Sequence, residues 1–194
     1  MRQPLAAICA LAFASCTATS PAASASSPAA ATAAPLNPTI SPTAKPLTAT
    51  AEIRDKDGQV VAAATLTQLT AGGVRVQLTA TKLPPGVHGW HVHAVGRCDG
   101  PDFATAGGHF NPEGKKHGAQ NPEGAHAGDL GNITAAADGT AKVEVTARVS
   151  LEPGVAVSLF KTDGTAIVIH ANVDDERTDP AGNSGGRIAC GVVK

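Results

Sequence analysis

Residues 74–79 read Val-Arg-Val-Gln-Leu-Thr, VRVQLT. Apolar Val74, Val76 and Leu78 alternate with polar Arg75, Gln77 and Thr79. Strand side chains point to opposite faces in turn, so a period of two marks a strand with one buried and one wet face. Turn signals bracket the segment, Ala71-Gly72-Gly73 before it and Leu83-Pro84-Pro85-Gly86 after it. The same grammar repeats outward. Residues 48–55 read as a strand closed by Asp55-Lys56-Asp57-Gly58, and residues 59–69 as the next. Residues 131–137 and 141–147 flank the hairpin signal Asp138-Gly139, with Val143 and Val145 on one face. Residues 165–171 (TAIVIHA) and 187–193 (RIACGVV) are late strands. Together with residues 89–95 (GWHVHAV), about eight short strands are expected, with no helix and no internal repeat. This is the pattern of an all-β sandwich or barrel.

Two stretches break the rhythm, residues 96–128 and 172–186, both rich in Gly, Pro, Asn and Asp. Loops of this length inside a compact domain are usually functional or disordered. All seven histidines lie in the strand-rich region, at 88, 91, 93, 109, 117, 126 and 170. On strand 89–95, Trp90 and Val92 share one face while His91 and His93 share the other. His109, His117 and His126 are spaced by 8 and 9 in the first long loop, with Asp129 three residues on. Imidazole suits Zn and Cu, carboxylate can complete a zinc site, and Cu(II) heads the affinity order at nitrogen-rich sites. One or two transition-metal sites are expected.

The remaining sequence sets the context. The chain has 194 residues and a net charge of −1, so no bulk attraction to nucleic acid is expected. Aromatics are 3% and tyrosine is absent, so Val, Ile, Leu and Ala must build the core. Residues 1–16 have a signal-peptide layout: basic Arg2, an apolar run from Leu5, then Phe13-Ala14-Ser15-Cys16. That ending resembles a bacterial lipobox, in which the cysteine is lipidated; plain secretion is the alternative. Residues 17–47 are an Ala/Ser/Thr/Pro-rich spacer, and residues 48–194 the folded domain. Cys9 lies in the signal core and Cys16 is the anchor candidate. Cys98 and Cys190 remain, and one pair in an exported protein is a disulfide by default.

From about residue 50 onward the chain resembles the copper,zinc superoxide dismutase family. The resemblance rests on HGWHVHAVG (88–96), GGHFNPEGKKHG (107–118), HAGDLGNITAAADG (126–139), IVIHANVDD (167–175) and GNSGGRIACGV (182–192). It implies an eight-stranded antiparallel Greek-key β-barrel with two long functional loops. It implies one copper per subunit on His91, His93, His109 and His170, and one zinc on His109, His117, His126 and Asp129, with His109 bridging. Asp174 would bond His91 and His117, Arg187 would guide the anion, and Cys98–Cys190 would be the family disulfide. His88 would be structural. The implied activity converts superoxide to oxygen and hydrogen peroxide by one-electron cycling of copper, at the cell envelope, with a lipid anchor at Cys16 as the membrane contact. Monomer and homodimer are both compatible with it. Lys115 and Lys116 would be either steering charges or a solvated basic pair. The rival readings are a non-catalytic copper carrier, a degenerate surface module and a copper-only relative. Arg187 argues against the first, the unbroken ligand set against the second, and His117, His126 and Asp129 against the third.

Overall fold

The computed structural model describes residues 45–194. The signal-like start, Cys16 and the spacer up to residue 44 lie outside the described residues. Eight strands follow in chain order: β1 (Thr48–Asp55), β2 (Val60–Gln68), β3 (Val74–Ala80), β4 (Gly86–His93), β5 (Asp129–Ala135), β6 (Ala141–Ala147), β7 (Ala166–His170) and β8 (Arg187–Val192). All pairings are antiparallel, in the order β5-β4-β7-β8-β1-β2-β3-β6. The outermost strands, β5 and β6, are joined by a tight hairpin in which the Ala136 and Thr140 main chains bond. The sheet therefore curls into an all-β, nearly closed barrel, as the sequence leads one to expect.

β3 behaves as its alternation predicts. Val74, Val76, Leu78 and Ala80 are buried, while Arg75, Gln77 and Thr79 are exposed. Ala49, Ala51 and Ile53 of β1 do the same, and Leu66, Ile133, Ile167 and Ile169 complete the interior. Trp90 and Val92 point into this barrel core, as their shared face requires. The indole Nε1 of Trp90 has no hydrogen-bond partner among the described residues. Leaving that donor unmet costs about 1–3 kcal/mol. Burying the ring, about 200 Å² at 25 cal/mol/Å², offsets it.

β7 is buried at every residue, which explains why AIVIH shows no alternation. Ile167 and Ile169 face the barrel, while Ala166 and Val168 pack outward against Phe103, Ala106 and Cys190. The 96–128 loop thus lies on a second, smaller apolar cluster. A single turn of 3-10 helix at Ala104–Ala106 is the one regular element it adds among the described residues.

Several strand ends differ from the expectation, β4 most of all in spanning Gly86–His93 rather than 89–95, and two further departures stand out. β5 begins at Asp129 rather than 131, so Asp129 is the first residue of a strand and not the end of a loop. There is also a third long connection, between Ala147 and Ala166. It is the crossover that carries the chain from edge strand β6 to β7 in the middle of the sheet, and it holds no histidine.

Cys98 and Cys190 form a disulfide with a sequence separation of 92, tying the long loop to β8. Closing a loop of that length removes about 4–5 kcal/mol of unfolded-state entropy. Replacing both cysteines with serine should lower the urea-unfolding free energy of the metal-free protein by roughly that amount. A loss below about 1 kcal/mol would contradict the staple.

Candidate metal centre

Cross-strand register builds the centre. His91 of β4 faces Asp129 of β5, His93 faces His109 across an isolated bridge, and His170 of β7 faces Arg187 of β8. Two of these pairs sit at register shifts, between Gly89 and His91 and between Ile169 and His170. A bulge of this kind re-aims a side chain, here toward the same space beneath the two long loops. His91, His93, His117 and His170 are all buried, although imidazole is not a core residue by composition.

The partners of each ring fix its proton. His91 Nε2 donates to Asp174 Oδ2 at 2.7 Å, and His117 Nε2 donates to Asp174 Oδ1 at 3.0 Å. His93 Nδ1 donates to the Gly107 carbonyl at 2.9 Å, and His170 Nδ1 to the Gly185 carbonyl at 3.2 Å. His91, His93 and His170 are each left with one inward lone pair, while the second nitrogen of His117 faces Asp129. His91 Nδ1 and His109 Nε2 are buried with no partner among the described residues. His93 Nε2 and His170 Nε2 face each other at 3.3 Å, two acceptors with no proton between them. On the other side, the Nδ1 atoms of His109, His117 and His126 converge on one oxygen, Asp129 Oδ1, at 3.0, 3.1 and 3.1 Å. Asp129 Oδ2 is held by the main-chain N–H groups of Gly118 and His126.

Two compact groups result. The donor atoms of His91, His93, His109 and His170 lie within 4.8 Å of one another, as do those of His91, His109, His117 and Asp129. His126 joins the second group through Asp129 rather than through the other rings. Converging unprotonated lone pairs in a dry space are what a cation requires. Tetrahedral metal bonds of about 2.0 Å place neighbouring donors about 3.3 Å apart, close to the separations found around Asp129. The residues fit a metal in each group. His91 and His109 occur in both, and His109 sets Nδ1 against Asp129 while its Nε2 is unpartnered among the described residues.

Electrostatics agree with preorganised neutral ligands. Burial, with the nearby His109 charge, pushes the pKa of His93 down to about 2, and burial pushes His170 down to about 3 and His109 to about 4. Burial also lowers His91, against the opposing pull of Asp174. His117 is the exception: burial would lower it, but bonds to Asp129 and Asp174 raise it to about 9. Asp129 and Asp174 would be raised by burial, yet the histidine bonds hold both well below the usual carboxylate range.

Arg187 donates from Nη1 to the Phe103 carbonyl and from Nη2 to the Gly107 carbonyl, both at 2.6 Å. Its charge therefore stands still beside His93, which shares the Gly107 oxygen. Lys115 is 3.2 Å from Glu113, and Lys116 is 3.3 Å from Asp179, so both lysines are paired locally. His88 bonds the carbonyls of His170 and Pro84 and stays out of both groups.

Residue-type reasoning alone passes over three parts of the centre. Asn132 clamps the Asp174 main chain, accepting from its N–H at 2.8 Å and donating to its carbonyl at 2.9 Å. Gly182, at φ +61°, leaves room for the Asp174–His117 bond, which any Cβ there would strike. Asp179 Oδ1 accepts from the His117 main-chain N–H at 2.8 Å.

A sequence profile of the family described as copper/zinc superoxide dismutase (SODC) matches residues 60–193. The chain belongs to the copper/zinc superoxide dismutase family. A superoxide dismutase [Cu-Zn] of Aquifex aeolicus is 50% identical over 150 residues, covering 76% of this chain and 88% of that protein. One from Caulobacter vibrioides is 43% identical over 150 residues, covering 76% and 86%. The solved structure of a SOD-like protein from Bacillus subtilis, in a double-mutant form, is similar with TM-score 0.71 and 41% identity, covering 74% of this chain and 95% of that chain. The protein is thus a superoxide dismutase with copper and zinc as its cofactors.

In the metal-free dismutase, His93, His109 and His170 have folded-state pKa values below their ordinary 6.5. Below that pH the unfolded chain binds more protons, so stability is lost as pH falls from 6.5 toward 4. His117 acts oppositely: its contribution is complete below 6.5 and is lost as pH rises through about 9. Calorimetry of the metal-free protein should show a melting temperature that peaks near neutrality and falls steeply between pH 6.5 and 5. Each excess proton adds about 1.4 kcal/mol per pH unit to that slope. A flat profile over this window would contradict the assignment of buried neutral rings.

Proposed function

We propose that copper is held by His91 Nδ1 and by the Nε2 atoms of His93, His109 and His170. Zinc is held by the Nδ1 atoms of His109, His117 and His126 and by Asp129 Oδ1. The observation that carries this reading is His109, which occurs in both groups, with Nδ1 against Asp129 Oδ1 and Nε2 buried without a partner among the described residues. Copper supplies the one-electron change that zinc, a d¹⁰ ion, cannot.

The chain's own residues bind, orient and move protons. Asp174 fixes the tautomers of His91 and His117 with one carboxylate, so each presents Nδ1 inward. Arg187 binds the incoming superoxide anion. Two of its five N–H groups are occupied by carbonyls, which aim the guanidinium and leave donors for the anion. Two superoxide ions and two protons give one oxygen and one hydrogen peroxide. His109 Nε2 would hold one of those protons only while it is released from copper, and would give it up as it binds copper again.

A copper carrier on the same scaffold would gain nothing from an arginine fixed beside the ligands, which favours the enzyme. We also place the enzyme at the cell envelope, attached through a lipidated Cys16 with residues 17–47 as a spacer. The signal-like start and an oxidised Cys98–Cys190 pair support export. Mass spectrometry of the membrane fraction should find a diacylated Cys16 as the mature N-terminus; an unmodified or absent Cys16 contradicts the anchor. Sedimentation of the loaded chain decides between monomer and homodimer.

The loaded protein should contain one copper and one zinc per chain and dismutate superoxide. Arg187→Ala should lower the second-order rate about tenfold or more, since a focused charge raises anion on-rates by about 10–10³, and should leave copper content unchanged. Loss of copper in that variant would contradict the role given to Arg187, and a loaded but inactive protein would contradict the enzyme.

A further inference from the structure

The outward ring nitrogen of His126 differs from those of the other proposed ligands. A metal-bound histidine almost always donates its other N–H to a carboxylate, carbonyl or water, which orients the ring and raises its basicity. His91 and His117 donate to Asp174, His93 to Gly107 and His170 to Gly185. His126 alone among the proposed terminal ligands has no such bond among the described residues. The acceptor that faces its Nε2 is Asp179 Oδ1, at 3.9 Å.

Asp179 is held for the task from two sides. Its Oδ1 accepts from the His117 main chain at 2.8 Å, and its Oδ2 pairs with Lys116 at 3.3 Å. The turn that carries it is built around Asp175, which accepts from the N–H groups of Arg177 and Thr178, the Thr178 hydroxyl and the Asn183 amide. This turn is bonded to the loop that bears His117, through Gln120 to the Glu176 carbonyl and through Arg177 to the Gln120 side chain. Asp179 is thus a carboxylate delivered by one long loop to the zinc ligands of the other.

We propose that Asp179 is a positioning residue for the zinc site, the outer carboxylate that receives the His126 Nε2 proton, as Asp174 serves His91 and His117. The proposal rests on the zinc assignment made above. It explains why the second loop carries two acids that perform different work: Asp175 folds the turn and Asp179 serves the ligand. Lys116 pairs with Oδ2, not with the Oδ1 that faces His126, so the proposal does not depend on it.

The test uses the isosteric variant Asp179→Asn in the full-length protein, with Lys116→Met and His126→Ala alongside. Asn keeps an oxygen for the His117 N–H but removes the charge that receives from His126. Zinc affinity is measured by chelator competition, and Co(II) is placed in the zinc position as a spectroscopic probe. Asp179→Asn should weaken zinc by about 10–100-fold and shift the visible Co(II) bands, while copper affinity stays unchanged. Lys116→Met should stay within about threefold of the parent. Wild-type zinc affinity and an unshifted Co(II) spectrum in Asp179→Asn would overturn the proposal, and so would an equal loss in Lys116→Met, which would make Asp179 half of a loop-to-loop ion pair only. Undiminished zinc affinity in His126→Ala would overturn the zinc assignment itself.

Discussion

One carboxylate joins the two halves of the centre. Asp174 receives His91 through Oδ2 and His117 through Oδ1, with its own main chain clamped by Asn132. The bond geometry decides which nitrogen of each ring points inward, and so decides that two separate donor groups exist at all. Everything around it serves that constraint. The Gly182 main chain passes so close that a side chain there would displace the carboxylate. The 172–186 loop exists, in physical terms, to bring Asp174 down onto rings that come from β4 and from the other loop.

The barrel contributes rigidity and register. β4 lies between β5 and β7, and β8 lies beyond β7. Adjacent strands therefore place Asp129 beside His91 and Arg187 beside His170 with no help from the loops. The loops then add His109, His117 and His126 over a floor that is already apolar and dry. In such a medium an unmet lone pair is costly and a bound cation is strongly favoured. That is why the same burial that lowers the proton affinity of His93, His109 and His170 prepares them as ligands.

Much of this was legible in the chain. VRVQLT has a strand's period because one of its faces is wet, and the H-x-H of residues 91–93 puts two imidazoles on one face by the same rule. AIVIH was legible as a strand only from its length and β-branched residues, because loops cover its second face and erase the alternation. The start of β5 at Asp129 was not legible. A polar residue can open a strand when its partner across the ladder is a histidine that it faces in a shared cluster, and pairing is a tertiary fact. Nor was the long crossover after β6 visible, since its length follows from the strand order. Asn132, Gly182 and Asp179 escaped for a related reason. They act through main-chain bonds and close approach, which leave no residue-type pattern in the sequence.

The proposed centre depends most directly on His109 as the shared ligand of two different ions. Crystals of the loaded protein, with anomalous scattering recorded at the copper and zinc edges, measure this. The predicted result is a copper peak bounded by His91, His93, His109 and His170, and a zinc peak bounded by His109, His117, His126 and Asp129, on opposite nitrogens of one imidazole. A single metal peak, or two peaks with His109 bound to only one of them, would contradict it.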